Sequence, residues 1–300
     1  MTSHATHRRF RGAFTAIVTP FNQTGDGIDF GRLDQQIEHQ ARGGVTGIVI
    51  AGTTGESPTL THHEYEHLVK ASIERARVGG VMAIVGTGSN STAHAVELQR
   101  LAAKLGADAA LSVNPYYNKP GQEGLYRHFM TVADSADLPV MLYNIPGRTG
   151  VALTPATIEK LSKHPNIRAV KEATGSTDSC SEIAQRCPNL EVLSGDDSMT
   201  LPFAAVGAVG VVSVVSNLVP GRVSALCKAF LEDRWSDALT IHRELFNFCR
   251  VMFTETNPIP VKAAMKLLGR DSGVLRLPMT EGSPETLKAV QRALTEQSLL

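Results

Sequence analysis

Gly47-Ile48-Val49-Ile50-Ala51 runs into Gly52-Thr53-Thr54-Gly55-Glu56-Ser57, then into a segment of helical spacing over 63–77, then into Val81-Met82-Ala83-Ile84-Val85. A strand with one wet face alternates apolar and polar residues, and these two runs do not. They suit strands covered on both faces, which is the condition of a parallel sheet. Between them, Leu68, Val69, Ser72, Ile73 and Ala76 share one side of a helix while His63, His67, Lys70, Glu74 and Arg77 share the other. The passage therefore reads as strand, strand-end loop, helix and next strand.

The same unit recurs along the chain. Apolar runs stand at 13–18, 47–51, 81–85, 107–113, 139–143, 167–171, 191–193 and 207–214, which makes eight. Segments with helical spacing, such as 30–42, 63–77, 93–105 and 123–133, separate them. Eight β–α units in about 230 residues match a (β/α)₈ barrel, typically about 250 residues long. A doubly wound open sheet is the rival, because it begins with the same alternation. Beyond residue 231 the strands stop, and 231–251, 259–268 and 284–299 all read as helices. The expected organisation is a catalytic α/β barrel over 1–230 with a C-terminal helical region over 231–300.

Bulk properties narrow the partners. Lys plus Arg and Asp plus Glu each number 29, so the formal charge is zero. A neutral chain lacks the basic field that nucleic acid requires. No apolar run approaches the roughly 18–20 residues of a membrane span, and residues 1–10 are polar and basic without the apolar stretch of a secretory signal. Cys180, Cys187, Cys227 and Cys249 contain no C-x-x-C spacing. That disfavours a disulfide framework or zinc knuckle and predicts reduced thiols in a cytoplasmic protein. Small metabolites are the natural partners.

In a barrel, chemistry gathers at the C-terminal ends of the strands. Those ends here carry Gly52 to Ser57, Gly86-Thr87-Gly88, Asn114-Pro115-Tyr116-Tyr117-Asn118, Tyr143-Asn144-Ile145-Pro146-Gly147-Arg148, Lys171-Glu172 and Ser194-Gly195-Asp196-Asp197. Strand alternation puts Ile167, Ala169 and Lys171 on one face and Arg168, Val170 and Glu172 on the other. A lone lysine at a strand end is ordinarily a snorkelling rim residue. Its companions argue otherwise. A lysine held in a dry pocket loses charge stability, and the neutral amine is a nucleophile for a ketone. Tyr143 ends the neighbouring strand, where its phenol could pass protons to and from a carbinolamine; alone it would read as a rim aromatic. Thr53 and Thr54 lie between Gly52 and Gly55, in a turn that can aim N–H groups at a carboxylate, although a Gly-x-x-Gly by itself is a plain turn.

Taken together, these motifs resemble the dihydrodipicolinate synthase family, within the N-acetylneuraminate lyase superfamily of pyruvate-dependent class I aldolases. The markers are Gly52-Thr53-Thr54-Gly55-Glu56-Ser57, Tyr143-Asn144-Ile145-Pro146, Val170-Lys171-Glu172 and Ser194-Gly195-Asp196-Asp197, and the likeness runs from about residue 12 to 269. The resemblance implies that Lys171 forms a Schiff base with pyruvate and that Tyr143 is the general acid/base. It makes Thr54 and Tyr117 the other members of a proton relay, with Tyr117 reaching the neighbouring subunit's site. Thr53 helps to seat the pyruvate carboxylate, and Gly195 and Val212 line the pyruvate pocket. A shared relay implies a homotetramer built from tight dimers.

The same resemblance gives Arg148 the carboxylate of L-aspartate 4-semialdehyde, a bidentate task suited to guanidinium. By itself Arg148 would read as a solvated loop residue. The segment Glu255-Thr256-Asn257-Pro258-Ile259-Pro260-Val261-Lys262 also resembles the synthases rather than the lyases. The implied product is 4-hydroxy-tetrahydrodipicolinate, made without metal or organic cofactor because the protonated imine withdraws the electrons. The alternative within the superfamily is condensation of pyruvate with a sugar or keto-acid aldehyde. Lysine-sensitive members carry an inhibitor pocket at the dimer interface, and Ser57, His62, Asn90 and Tyr116 match several of its positions. Tyr65 and His94 stand where sensitive members place a histidine and a glutamate, which implies weak or absent feedback by lysine.

A rival from another class comes from His63-Glu64-Tyr65-Glu66-His67, a formal match to the zinc-peptidase motif H-E-x-x-H. Thr61 and Glu64 form a T-x-x-E capping box, so Glu64 has a sufficient task in starting the helix, and both histidines fall on its polar stripe. Gly86-Thr87-Gly88 lacks the rest of a phosphate-binding G-x-G-x-x-G. A non-catalytic barrel would not need Lys171, Tyr143, Thr54 and Tyr117 together.

Overall fold

The computed structural model describes residues 10–300. Eight parallel strands close into a barrel in chain order, with β8 hydrogen-bonded back to β1. They are β1 (Gly12–Ala16), β2 (Gly47–Ile50), β3 (Met82–Gly86), β4 (Ala109–Val113), β5 (Val140–Asn144), β6 (Ile167–Glu172), β7 (Glu191–Ser194) and β8 (Gly210–Ser213). Closure excludes the open doubly wound sheet. Each of the eight apolar runs coincides with one strand to within a few residues, and all but a few strand residues are buried, as sheets covered on both faces require.

The helices that cover the barrel are α1 (Phe30–Arg42), α2 (His62–Gly79), α3 (Thr92–Leu105), α4 (Gln122–Asp134), α5 (Pro146–Thr149), α6 (Pro155–Leu161), α7 (Thr177–Arg186), α8 (Thr200–Ala204) and α9 (Pro220–Leu231). Three more follow: α10 (Trp235–Val251), α11 (Ile259–Leu267) and α12 (Pro284–Glu296). None is long and apolar enough to cross a membrane. The helical segment expected over 231–251 starts later, at Trp235, because Leu231 closes α9 and residues 232–234 separate the two helices. Asp233 adopts φ 59° between α9 and α10, a left-handed conformation that ends the first helix. The last helix likewise stops at Glu296, before Ser298 at φ 55°.

Side chains alternate across the strands. Phe14, Val49, Ile84, Leu111, Met141, Ala169, Leu193 and Val212 fill the barrel interior, and their neighbours pack outward against the helices. One strand departs from simple alternation. Val140 pairs with Ile167 but Met141 pairs with Ala169, so Arg168 is an extra residue and a bulge. Ile167 therefore packs outward with Val140, Leu142 and Val170. The expectation that it shares a face with Ala169 and Lys171 is corrected by that bulge. Lys171 keeps the inward phase because it lies beyond the irregularity.

Candidate active site

Lys171 and Tyr143 are register partners at the upper ends of β6 and β5. Each is only 5% exposed, and Lys171 Nζ lies 4.1 Å from the centroid of the Tyr143 ring. That packing against the π-face holds Nζ at one place at the upper end of the barrel. Gly195, just beyond β7, leaves room for the lysine stem. A β-carbon there would stand 3.1 Å from Lys171 Cε and 2.7 Å from Ala173 Cβ. Val212, on β8, belongs to the interior cluster that also contains Tyr143 and Ala169.

Glu172 points away from this pocket. Its carboxylate accepts from Asn144 Nδ2 at 3.0 Å and from the Thr174 N–H at 2.8 Å, and Asn114 Nδ2 in turn donates to Asn144 Oδ1. Burial pushes the carboxyl above its ordinary range, against the pull of those hydrogen bonds. The network ties the upper ends of β4, β5 and β6 together and so fixes the strands that carry Tyr143 and Lys171.

The loop after β2 is a tight turn. Gly55 and Ser57 N–H both donate to the Gly52 carbonyl, and Glu56 N–H donates to that of Thr53. The N–H groups of Thr53 and Thr54 donate to nothing among the described residues, which leaves two consecutive donors that an anion could take. Thr19 Oγ1 clamps the Gly55 carbonyl at 2.6 Å. Thr54 is buried, and its Oγ1 accepts from Asn257 Nδ2 at 2.9 Å. Asn257 also receives Arg148, whose Nη2 donates to its main-chain carbonyl at 3.0 Å. Arg148 lies on the exposed helix α5, with the rest of its guanidinium free of any acidic partner among the described residues.

Tyr117 stands apart. It is 89% exposed, takes φ 71° and makes no hydrogen bond with the described residues, so one chain does not close a relay through it. Its neighbour Tyr116 is 38% exposed on the same loop. Asn118 Nδ2 ties that loop to the Asn90 carbonyl at 2.8 Å. Ser57 opens a 3₁₀ turn and His62 begins α2, exposed. Tyr65 is buried, and its hydroxyl donates to the Gly86 carbonyl at 2.8 Å. His94 is exposed, with Nδ1 3.3 Å from Glu97 Oε2.

The zinc-peptidase reading fails on geometry. Thr61 and Glu64 form the capping box in both directions, and the Glu64 carboxylate is taken by Arg276 through two bonds of 2.9 and 2.5 Å. That guanidinium holds the Glu64 carboxyl down to about 2. The His63 and His67 rings do lie 4.3 Å apart, but on the exposed side of α2. No third ligand joins them among the described residues.

Two features escape sequence reading. Asn257 lies in a segment that stands out in the sequence, yet its bond to Thr54 spans 203 residues. Lys262 pairs with Glu56 across 206 residues. Neither separation leaves a signal in local spacing.

The chain is similar to known proteins over nearly its whole length. The model of the dihydrodipicolinate synthetase family matches residues 9–297. The 4-hydroxy-tetrahydrodipicolinate synthase of Endomicrobium trichonymphae is 46% identical, over 97% of this chain and 99% of its own. That of Pelobacter propionicus is 47% identical, over 95% and 98%. The crystal structure of dihydrodipicolinate synthase from Aquifex aeolicus superposes with a TM-score of 0.94 at 45% identity, covering 97% of this chain and 99% of the other.

Proposed function

The chain belongs to the dihydrodipicolinate synthetase family, and from that premise we propose how its residues divide the reaction. The enzyme is a lyase of the aldolase type. It condenses pyruvate with L-aspartate 4-semialdehyde to 4-hydroxy-tetrahydrodipicolinate, in the biosynthesis of lysine and diaminopimelate. The observation that carries the residue assignment is the burial of Lys171 against the Tyr143 ring.

Lys171 adds to the ketone of pyruvate, and the carbinolamine loses water as Tyr143 returns a proton. The free N–H groups of Thr53 and Thr54 seat the pyruvate carboxylate. Gly195 keeps the space beside Lys171 open, and Val212 backs it. Loss of a methyl proton to the relay gives the enamine, with the iminium as electron sink. The enamine carbon attacks the aldehyde of the second substrate, whose carboxylate Arg148 holds. The substrate amine then attacks the imine carbon and expels Lys171, closing the ring and returning the enzyme. One water leaves over the cycle, and no step calls on a metal or organic cofactor.

The solitary, outward Tyr117 supports a homotetramer of tight dimers, in which each Tyr117 joins Thr54 and Tyr143 of the neighbour. We assign residues 1–230 to the catalytic barrel and 231–300 to a helical region that braces it. Four buried free thiols support a cytoplasmic enzyme. The test is a coupled assay with pyruvate and L-aspartate 4-semialdehyde, following NADPH loss through dihydrodipicolinate reductase. Activity in the wild type that vanishes in Lys171→Ala is the expected result. Silence in both, with pyruvate still trapped on Lys171 by borohydride, would keep the imine and discard the acceptor.

A further inference from the structure

Asn257 touches two parts of the proposed machinery from a loop more than a hundred residues away from either. Its side-chain Nδ2 donates to Thr54 Oγ1 at 2.9 Å, and its main-chain carbonyl accepts from Arg148 Nη2 at 3.0 Å. The residue is 5% exposed, and its Oδ1 is buried with no partner among the described residues.

The polarity of the contact has a chemical consequence. A threonine hydroxyl carries one proton and two acceptor lone pairs. Because Asn257 donates, it occupies a lone pair of Thr54 and leaves the single proton free. The opposite amide orientation would satisfy Oδ1 but consume that proton. The observed orientation thus keeps the Thr54 proton available for donation.

We propose that Asn257 is a positioning residue of the condensation, directing the Thr54 proton along the relay through its amide while its main-chain carbonyl sets Arg148. The proposal rests on the reading of Thr54 and Arg148 given above. It separates two effects that a general structural role would merge. Changing the side chain disturbs proton transfer, whereas the carbonyl that serves Arg148 belongs to the backbone and survives.

The decisive variant is Asn257→Asp, which has the same shape but only accepts when ionised. Its kcat at pH 8 is expected to fall by about 10²-fold, the scale of a misdirected general acid/base. KM for the semialdehyde is expected to stay within about twofold, as expected when uniform binding is retained. Exchange of the pyruvate methyl protons with D2O, read by NMR with no second substrate, is expected to slow in parallel. As pH falls and the new carboxyl gains a proton it can donate, so the ratio of variant to wild-type rate should rise. In a Thr54→Val background the substitution should add no further loss. Where Asn257→Asp fails to fold, Asn257→Ser takes its place, since a seryl hydroxyl is too short to reach Thr54; it should show the slowed exchange without the acid recovery. Wild-type rates in the folded variant, or a loss in KM as large as that in kcat, would overturn the proposal. Failure of wild-type enzyme to trap pyruvate on Lys171 would instead overturn the underlying reading.

Discussion

Lys262 Nζ meets Glu56 Oε1 at 2.6 Å with both side chains out of solvent, joining α11 to the loop that carries Thr53 and Thr54. The pair is fully dressed. Lys262 also donates to the Val274 carbonyl at 2.8 Å and stands 4.3 Å over the Phe21 ring, while Glu56 Oε2 accepts from Arg276 N–H at 3.0 Å. Glu56 itself holds φ 52°, a left-handed conformation that the ion pair helps to impose on the loop.

Removing one partner strands the other charge in the interior, which costs about 3–5 kcal/mol. Lys262→Met is expected to lose that much in urea unfolding, compared at one protomer concentration. Adding Glu56→Gln to it should recover part of the loss, because the orphaned charge is gone. A single variant less than about 1 kcal/mol below wild type, the range of an exposed pair, would show that solvent reaches the site.

Glu64 gives a pH-dependent prediction that also tests the abandoned peptidase reading. Arg276 holds its carboxyl at about 2, against an ordinary value of 4.5. A depressed carboxyl stabilises the fold fully above its unfolded value and loses that contribution as pH falls from 4.5 towards 2. The shift corresponds to about 3 kcal/mol. Glu64→Gln should therefore be less stable at pH 7 by up to about that amount, with the gap to wild type closing as pH drops below 4.5. Condensation activity should persist in the folded variant, whereas a peptidase would lose its general base. Asp197 acts in the opposite sense. Burial raises its carboxyl to about 6, so its charged form burdens the fold above that pH, and protonation relieves the burden as pH falls. It cancels in the comparison, because both proteins carry it.

The legible part of the molecule is the part whose cause is local. Two-sided burial writes continuous apolar runs, so eight strands could be counted, and α1 emerges with its observed limits because Leu33, Gln36, Ile37 and Gln40 recur at helical spacing. Lys171, Tyr143 and the Gly52–Ser57 turn stand out because each ends a strand, where barrel chemistry gathers. What stayed hidden depends on non-local contacts or single backbone angles. The extra residue Arg168 turns Ile167 outward, and a left-handed Asp233 moves the start of α10 to Trp235, although polar residues 232–234 fit a helical face equally well. The Asn257–Thr54 and Lys262–Glu56 bonds join residues that only closure of the barrel and docking of α11 bring together.

Lysine is expected to inhibit weakly or not at all. An amino-acid inhibitor needs a carboxylate for its side-chain ammonium. At the matching positions, Tyr65 is buried with its hydroxyl spent on the Gly86 carbonyl, and His94 offers no negative charge. The nearby carboxylate of Glu97 already faces His94 Nδ1 at 3.3 Å. Activity in the coupled assay should hold across sub-millimolar lysine. Complete inhibition in that range would mean that Glu97 turns to the inhibitor and that the match of these positions is misread.

The exposed Tyr117 yields a test that distinguishes a shared site from a complete one. An aromatic side chain that is 89% exposed and carried at φ 71° has no stabilising role within its own chain. If it completes the relay of its neighbour, Tyr117→Phe and Lys171→Ala should each be nearly inactive alone. A mixed dimer of the two then holds one site with both defects and one with none, the latter drawing Lys171 from one subunit and Tyr117 from the other. Unfolding the variants together and refolding them as a mixture should restore part of the wild-type activity. Restoration can arise only if the two residues act from different chains. No recovery, with mixed oligomers confirmed by native mass spectrometry, would place Tyr117 in its own subunit's site or in none.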